Sequence, residues 1–362
     1  MLKKFDIDKK EIWIVLGLLM FVLVGCGTNG TETETTEEPV LLETPYDTTE
    51  FLMGTYVSLR IYDEGKEEVL DLAVERISEL ADKITTNEPS SEMDAVNEAA
   101  GEASVKVSED VFPLIKMAAD YSAVSKSGFD YTIGPVTDLW RIGFDDARVP
   151  EREEIQEVLP LVNHTWVELN TETNEVFLQE AGMKIDLGAI AKGYIADEVK
   201  ELFIENGVTT AIIDLGGNVV VMGDSPTRDS GGFNVGVQDP FDSRGTYVAA
   251  INLRNQSIVT SGVYERYIEQ DGVMYHHLMN PVTGYPFENE LASVTIISED
   301  SIDGDALSTV AFGFGLVEGL EYVNNYRNVE GVFITKNREV YTTDGLSENF
   351  SLTNDEYDWL NP

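Results

Sequence analysis

The chain has 362 residues, of which 66 are Asp or Glu and 24 are Lys or Arg, leaving a formal charge of −42 at pH 7. A field of that sign repels nucleic acid and anionic membrane surfaces, so neither is expected to bind by charge. A single cysteine excludes an internal disulfide, while 43% hydrophobic residues suffice for a substantial core.

Lys3, Lys4, Lys9 and Lys10 precede an apolar run from Ile12 to Val24, long for a core strand and short for a membrane span. It closes on Leu23-Val24-Gly25-Cys26, small residues before a cysteine, which resembles a bacterial lipobox. Residues 1–25 are therefore read as a lipoprotein signal peptide and Cys26 as the lipidated residue; the alternative is a plain transmembrane anchor. A lipidated cysteine carries the two or more acyl chains that stable anchoring takes. The stretch 26–46 is rich in Thr and Glu and too poor in large apolar residues to fold. It predicts a solvated tether, with one domain over 47–362 held at the extracytoplasmic face of the cell membrane.

Within that domain, Phe51 to Tyr62 alternates as a strand, and Lys66 to Ile84 carries a helical stripe of Val69, Leu70, Ala73, Ile77, Leu80, Ala81 and Ile84. Val111 to Ser125 predicts a second helix with Pro113 in its first turn, where the missing N–H is harmless. Lys184 to Asp197 leads into a helix that buries Tyr194, Ile195, Val199, Leu202 and Phe203. Ala211 to Met222 reads as one strand interrupted by Gly216-Gly217-Asn218. Val248 to Val259, Val273 to Leu278 and Leu291 to Ile297 read as further strands. Asp305 to Gly313 and Val317 to Tyr326 read as helices, and Gly331 to Tyr341 as the last strands. The irregular alternation with hairpin-like neighbours predicts an α+β fold.

Several segments carry chemistry. Gly128 and Gly134-Pro135 allow close backbone approach to a ligand, and Phe129 beside Asp130 offers a flat face for a ring; ordinary turn packing competes with that reading. Asp186-Leu187-Gly188-Ala189 opens a helix whose free amides favour a phosphate, with Lys192 adding a cation that the acidic chain otherwise lacks. Thr260-Ser261-Gly262 supplies hydroxyls and flexible backbone. Two of the three histidines, His276 and His277, run into the turn Asn280-Pro281-Val282-Thr283-Gly284. Strand alternation lets only one of them face a site. Asp305 and Thr309 stand i, i+4 on one helix face, oxygens suited to Mg²⁺.

Taken in order, Met53-Gly54-Thr55, Asp130 to Trp140, Asp186 to Asp197, Gly216-Gly217-Asn218, Thr260-Ser261-Gly262, His277 to Gly284 and Asp305 to Thr309 resemble the ApbE family of FAD:protein FMN transferases. The resemblance implies one catalytic module of paired T-fold-like units with FAD between the halves. It implies FAD contacts at Met53, Gly128, Phe129, Asp130, Asp186, Lys192, Ser261, Gly262 and Thr283, and a Mg²⁺ ion on Ala189, Asp305 and Thr309. It makes His277 the base that activates the acceptor hydroxyl, leaving His276 structural. The acceptors would be flavoproteins of extracytoplasmic or membrane redox complexes. Asn280 stands where the family commonly has aspartate, and Gly304 where it commonly has alanine; the loop at Asn87 matches less well. Rival readings are a hydrolase splitting FAD to FMN and AMP, and a flavin-binding lipoprotein without catalysis.

Overall fold

The structure, a computed structural model, describes residues 39–86, 90–229 and 231–360. The signal peptide, Cys26, residues 27–38 of the tether and Asn87 lie outside the described residues.

In chain order the first nine strands are β1 (Leu41–Leu52), β2 (Thr55–Asp63), β3 (Val105–Lys106), β4 (Val167–Asn170), β5 (Glu175–Leu178), β6 (Ala211–Leu215), β7 (Asn218–Met222), β8 (Phe233–Gln238) and β9 (Tyr247–Leu253). They are followed by β10 (Gln256–Gly262), β11 (Tyr267–Gln270), β12 (Val273–His276), β13 (Leu291–Ser298), β14 (Glu330–Thr335), β15 (Glu339–Thr342), β16 (Phe350–Leu352) and β17 (Asp358–Trp359). The helices are α1 (Val69–Ile84), α2 (Glu92–Glu98), α3 (Phe112–Val124), α4 (Gly134–Trp140), α5 (Arg152–Val158), α6 (Ala191–Glu205) and α7 (Ser301–Asn324).

Nine strands form one sheet in the order β1-β2-β6-β7-β10-β13-β14-β15-β17. Every neighbour is antiparallel except β15 and β17. Each half runs strand, strand, helix, helix, strand, strand. Counting only the large sheet and the helices packed on it, the order in the first half is β1, β2, α1, α6, β6, β7, with α2 to α5 and β3 to β5 inserted between α1 and α6. In the second it is β10, β13, the two segments of α7, then β14 and β15. The break in α7 falls at Gly315, whose φ of 76° and ψ of −177° only glycine adopts readily. The expected α+β fold is met.

Side-chain alternation divides the interior into two layers. Val220, Met222, Ile296 and Phe333 face the helices. Val221, Ile297, Val332 and Ile334 face the small sheet β16-β9-β8. Burying one such side chain contributes about 1.5–3 kcal/mol. The α1 stripe of Leu70, Ala73, Ile77, Leu80 and Ile84 is buried as its spacing requires. Although α7 is apolar and long enough to cross a membrane, half of that stretch is buried, packed on β13, β10, β14 and α6.

Several element boundaries differ from expectation: Val248 to Val259 is two strands, β9 and β10, in different sheets, and β16 and β17 follow the strands expected to be last. β1 starts at Leu41, inside the expected tether, because pairing with β2 satisfies its backbone without a large apolar face. Phe51 to Tyr62 is therefore the tip of a hairpin, turning at Met53 (φ 53°) and Gly54 (φ 70°). Ala211 to Met222 is likewise two paired strands, with Gly216 (φ 67°) and Gly217 (φ 107°) forming the two-residue turn.

Candidate active site

Two helices from different halves of the domain, α6 and α7, meet at the centre of the site. Gly193, in the first turn of α6, lies so close to α7 that a Cβ there would sit 2.7 Å from Ile302 Cα and 2.8 Å from Asp305 Cβ. Its amide donates to Asp305 Oδ2 at 2.9 Å. Lys192 Nζ stands 3.7 Å from Asp305 Oδ1 and donates to Asn218 Oδ1. One turn further along α7, Thr309 Oγ1 lies 3.3 Å from Ser261 Oγ, which also meets Ser308 Oγ at 2.8 Å. Asp305 and Thr309 are both buried. Ala189 precedes them in the turn into α6. Asp305, Thr309 and the Ala189 carbonyl are hard oxygens with a single carboxylate, a donor set that fits Mg²⁺, which keeps water and substrate phosphates in its shell.

His277 follows β12 directly and is half-buried. Its amide donates to the Arg266 carbonyl at 3.1 Å, and its Nδ1 lies 3.2 Å from the same oxygen. A carbonyl only accepts, so Nδ1 carries the proton and Nε2 keeps a free lone pair. Desolvation, then the charges of Arg266, His276 and Lys192, push the imidazole down to about 4, against the pull of the Arg266 carbonyl. The ring is therefore neutral at ordinary pH. The Arg266 side chain crosses to Gly143, where a Cβ would lie 2.9 Å from its Cδ, and reaches to 3.9 Å from a Cβ built on Gly54. The Met53–Gly54 hairpin tip thus lies beside the Arg266 guanidinium. Met53 in the left-handed region is unusual for a long side chain.

His276 is turned the other way. It is 5% exposed, donates from Nε2 to the Phe287 carbonyl at 3.0 Å, and meets the Phe312 ring edge-on at 5.7 Å.

Asp130, Asp186 and Thr283 gather around α4 instead. Asp130 Oδ1 accepts from the Thr132 amide at 2.9 Å and its hydroxyl at 2.6 Å; Oδ2 accepts from the His164 amide at 3.2 Å and meets its Nδ1 at 3.0 Å. Asp186 accepts from Thr137 Oγ1 and the Gly188 amide, both at 2.8 Å. Thr283 is exposed in a turn that Trp140 Nε1 anchors through the Gly284 carbonyl at 2.8 Å.

Four glycine and aromatic readings need correction. Gly128 faces α7, where a Cβ would lie 3.0 Å from the Val310 carbonyl and 3.1 Å from the Phe314 ring, so it serves helix packing. A Cβ on Gly134 would likewise lie 2.6 Å from Lys184 Cβ. Phe129 is 5% exposed in the main core, so its ring presents no free face. Gly262 is buried with Tyr264 folded over it.

Sequence reasoning missed His164, Arg266 and the role of Asn218. The Asp130–His164 pairing is non-local, and no spacing rule announces it. Arg266 acts through its carbonyl, which any residue has. Asp214 beside them is held above the ordinary carboxylate range by desolvation, against the Gly217 amide and the charges of Arg244, Arg60 and Lys192.

The ApbE family model matches residues 53–333. A relative from Klebsiella pneumoniae (strain 342) named FAD:protein FMN transferase is 39% identical over 312 residues, 86% of this chain and 96% of that protein. One of the same name from Treponema pallidum (strain Nichols) is 32% identical over 346 residues, 91% and 93% of the two chains. The crystal structure of the ApbE protein of Thermotoga maritima superposes with a TM-score of 0.78 at 28% identity, covering 84% of this chain and 99% of that one. The apo flavinyl transferase ApbE of Pseudomonas stutzeri, at 23% identity and a TM-score of 0.74 over 86% and 98%, shares the fold.

Proposed function

The chain belongs to the ApbE family, and from that premise we propose that it is a FAD:protein FMN transferase that moves FMN to a Thr or Ser hydroxyl of an acceptor flavoprotein and releases AMP. The observation that carries this reading is the meeting of Lys192 with Asp305 at 3.7 Å, with the Lys192 charge also felt at His277. A cation and a carboxylate thereby meet beside the free first amides of α6, where a phosphate would bind.

In the proposed step the acceptor oxygen bonds to the FMN-side phosphorus as the bond to the AMP phosphate breaks. The Nε2 of His277, left free by the Arg266 carbonyl, takes the hydroxyl proton, a role typically worth about 10²–10⁴-fold. Lys192 and the first amides of α6 face the negative charge that grows on the leaving oxygen. Mg²⁺ held by Ala189, Asp305 and Thr309 would neutralise pyrophosphate charge when bound. Asp130, Asp186, Ser261 and Thr283, with the Met53 tip, would border the rest of FAD. Gly128 and Phe129 would contribute backbone and packing.

The N-terminal signals support a lipid anchor at Cys26 on the extracytoplasmic face. The acceptors would then be flavoproteins of membrane or extracytoplasmic redox complexes.

Incubating the purified protein with FAD, Mg²⁺ and a candidate acceptor tests the reading. AMP together with flavin fixed to the acceptor supports transfer. AMP with free FMN supports hydrolysis instead, and absence of AMP leaves only a flavin binder.

A further inference from the structure

The carboxylate of Asp197 is half-buried on α6, one turn beyond Gly193. Oδ1 accepts from the Ser301 amide and Oδ2 from the Ile302 amide, each at 2.8 Å. These are the first two residues of α7, whose orphan amides need an acceptor. The ordinary donor of such a cap is the residue just before the helix. Asp300 holds that place, yet it makes no side-chain cap; its carboxylate is turned to Lys200 Nζ at 2.9 Å. α7 is thus capped from another helix.

This arrangement does more than satisfy two amides. The same face of α6 carries Gly193, whose missing side chain admits α7, and whose amide holds Asp305 Oδ2 at 2.9 Å. Asp197 and Gly193 are therefore two points on α6 that grip α7 at Ser301–Ile302 and at Asp305. Two points fix both the approach and the rotation of one helix on another, and rotation of α7 decides where Asp305 and Thr309 point. We propose that Asp197 is a positioning residue for the transfer reaction: by capping α7 from α6 it sets the orientation in which Asp305 faces Lys192.

The surroundings agree with a constrained role. Burial pushes the Asp197 carboxyl up to about 7, outweighing its two amide bonds, with Asp300 raising it and Lys200 lowering it. The assignment rests on the transferase reading for its kinetic consequence, but not for its structural one.

Amide hydrogen exchange and kinetics on Asp197→Ala and Asp197→Asn test it, using the intact protein. In Asp197→Ala, exchange should quicken at Ser301 and Ile302 and also at Gly193, whose amide bonds Asp305 and not the Asp197 carboxylate. AMP release from FAD should then fall on the order of 10–100-fold in kcat, as a misplaced catalytic group does, with half-saturating Mg²⁺ raised and the KM for FAD little changed. Asn keeps an acceptor oxygen and should restore much of both. Unchanged Gly193 protection in Asp197→Ala would overturn the proposal, since the cap would then be local. So would a wild-type kcat in a variant whose α7 amides exchange freely. Should Asp197→Ala fail to fold, Asp197→Asn with wild-type exchange at Ser301 but reduced kcat would equally count against it. If the wild-type protein releases no AMP, the transferase reading falls, while the exchange result at Gly193 still decides the structural claim.

Discussion

The amide of Gly193 donates to Oδ2 of Asp305 at 2.9 Å, a single hydrogen bond joining residues 112 apart in sequence. The contact requires glycine, because a Cβ at 193 would lie 2.7 Å from Ile302 Cα. Gly193→Ala should push α6 and α7 apart, with an overpacking cost of about 1–3 kcal/mol. Urea unfolding measures the loss of stability, and AMP release should fall with it. An alanine variant as stable as the parent would show that the helices part freely.

His277→Ala should lower transfer by roughly 10²–10⁴-fold while leaving FAD binding intact, because the ring supplies a base rather than a binding contact. FAD binding by fluorescence titration and transfer by labelling of the acceptor separate the two. Equal activity in the variant would remove the base assignment.

The acid limb of the rate profile follows from the depressed imidazole. With His277 held down to about 4 by desolvation and neighbouring cations, transfer should stay level from neutral pH and decline only as the pH approaches about 4. A limb near the ordinary histidine value, about 6.5, would show the ring to be more open to water than its surroundings imply.

Stability carries the same sign. Both His276 and His277 are lowered to about 4 in the folded chain, chiefly by burial. From about 6.5 downward the unfolded chain takes up protons at these rings and the folded chain does not. Their contribution is therefore complete at neutral pH and is lost as the pH falls through that window to about 4. Unfolding curves at pH 7, 5.5 and 4.5 should show a steeper decline for the parent than for His276→Gln, and parallel declines would contradict this.

Lys192→Gln preserves a donor for Asn218 but removes the charge that faces Asp305. Loss of one such stabilising group typically costs about 10²–10³-fold in kcat. Steady-state kinetics with FAD should show the deficit mainly in kcat, and an effect confined to KM would place Lys192 in binding alone.

Much of this was legible in the chain. The α1 stripe, the Pro113 helix start and the placement of Lys192 in a first helical turn follow from local pattern, and alternation put only one of His276 and His277 at the site, the family resemblance selecting His277. The Gly216-Gly217 pair carried a hairpin signal, two strand-like runs separated by two residues able to take positive φ. The Met53 turn carried none, since methionine is a poor candidate for the left-handed region. Phe129 misled because an aromatic beside glycine reads the same whether it faces a ligand or the core.

The sequence by itself determined the long helices, the α+β class and the residue types the chemistry needs, because periodicity and side-chain identity are local properties. The short helices α2, α4 and α5 carry too few turns for a periodic signal. Only the tertiary structure decided which partners those residues have. The Arg266 carbonyl that sets the His277 tautomer, the His164 that occupies Asp130 and the α6 face that grips α7 are contacts between distant segments. Each is made through backbone groups or close packing, and neither carries a mark in the order of amino acids.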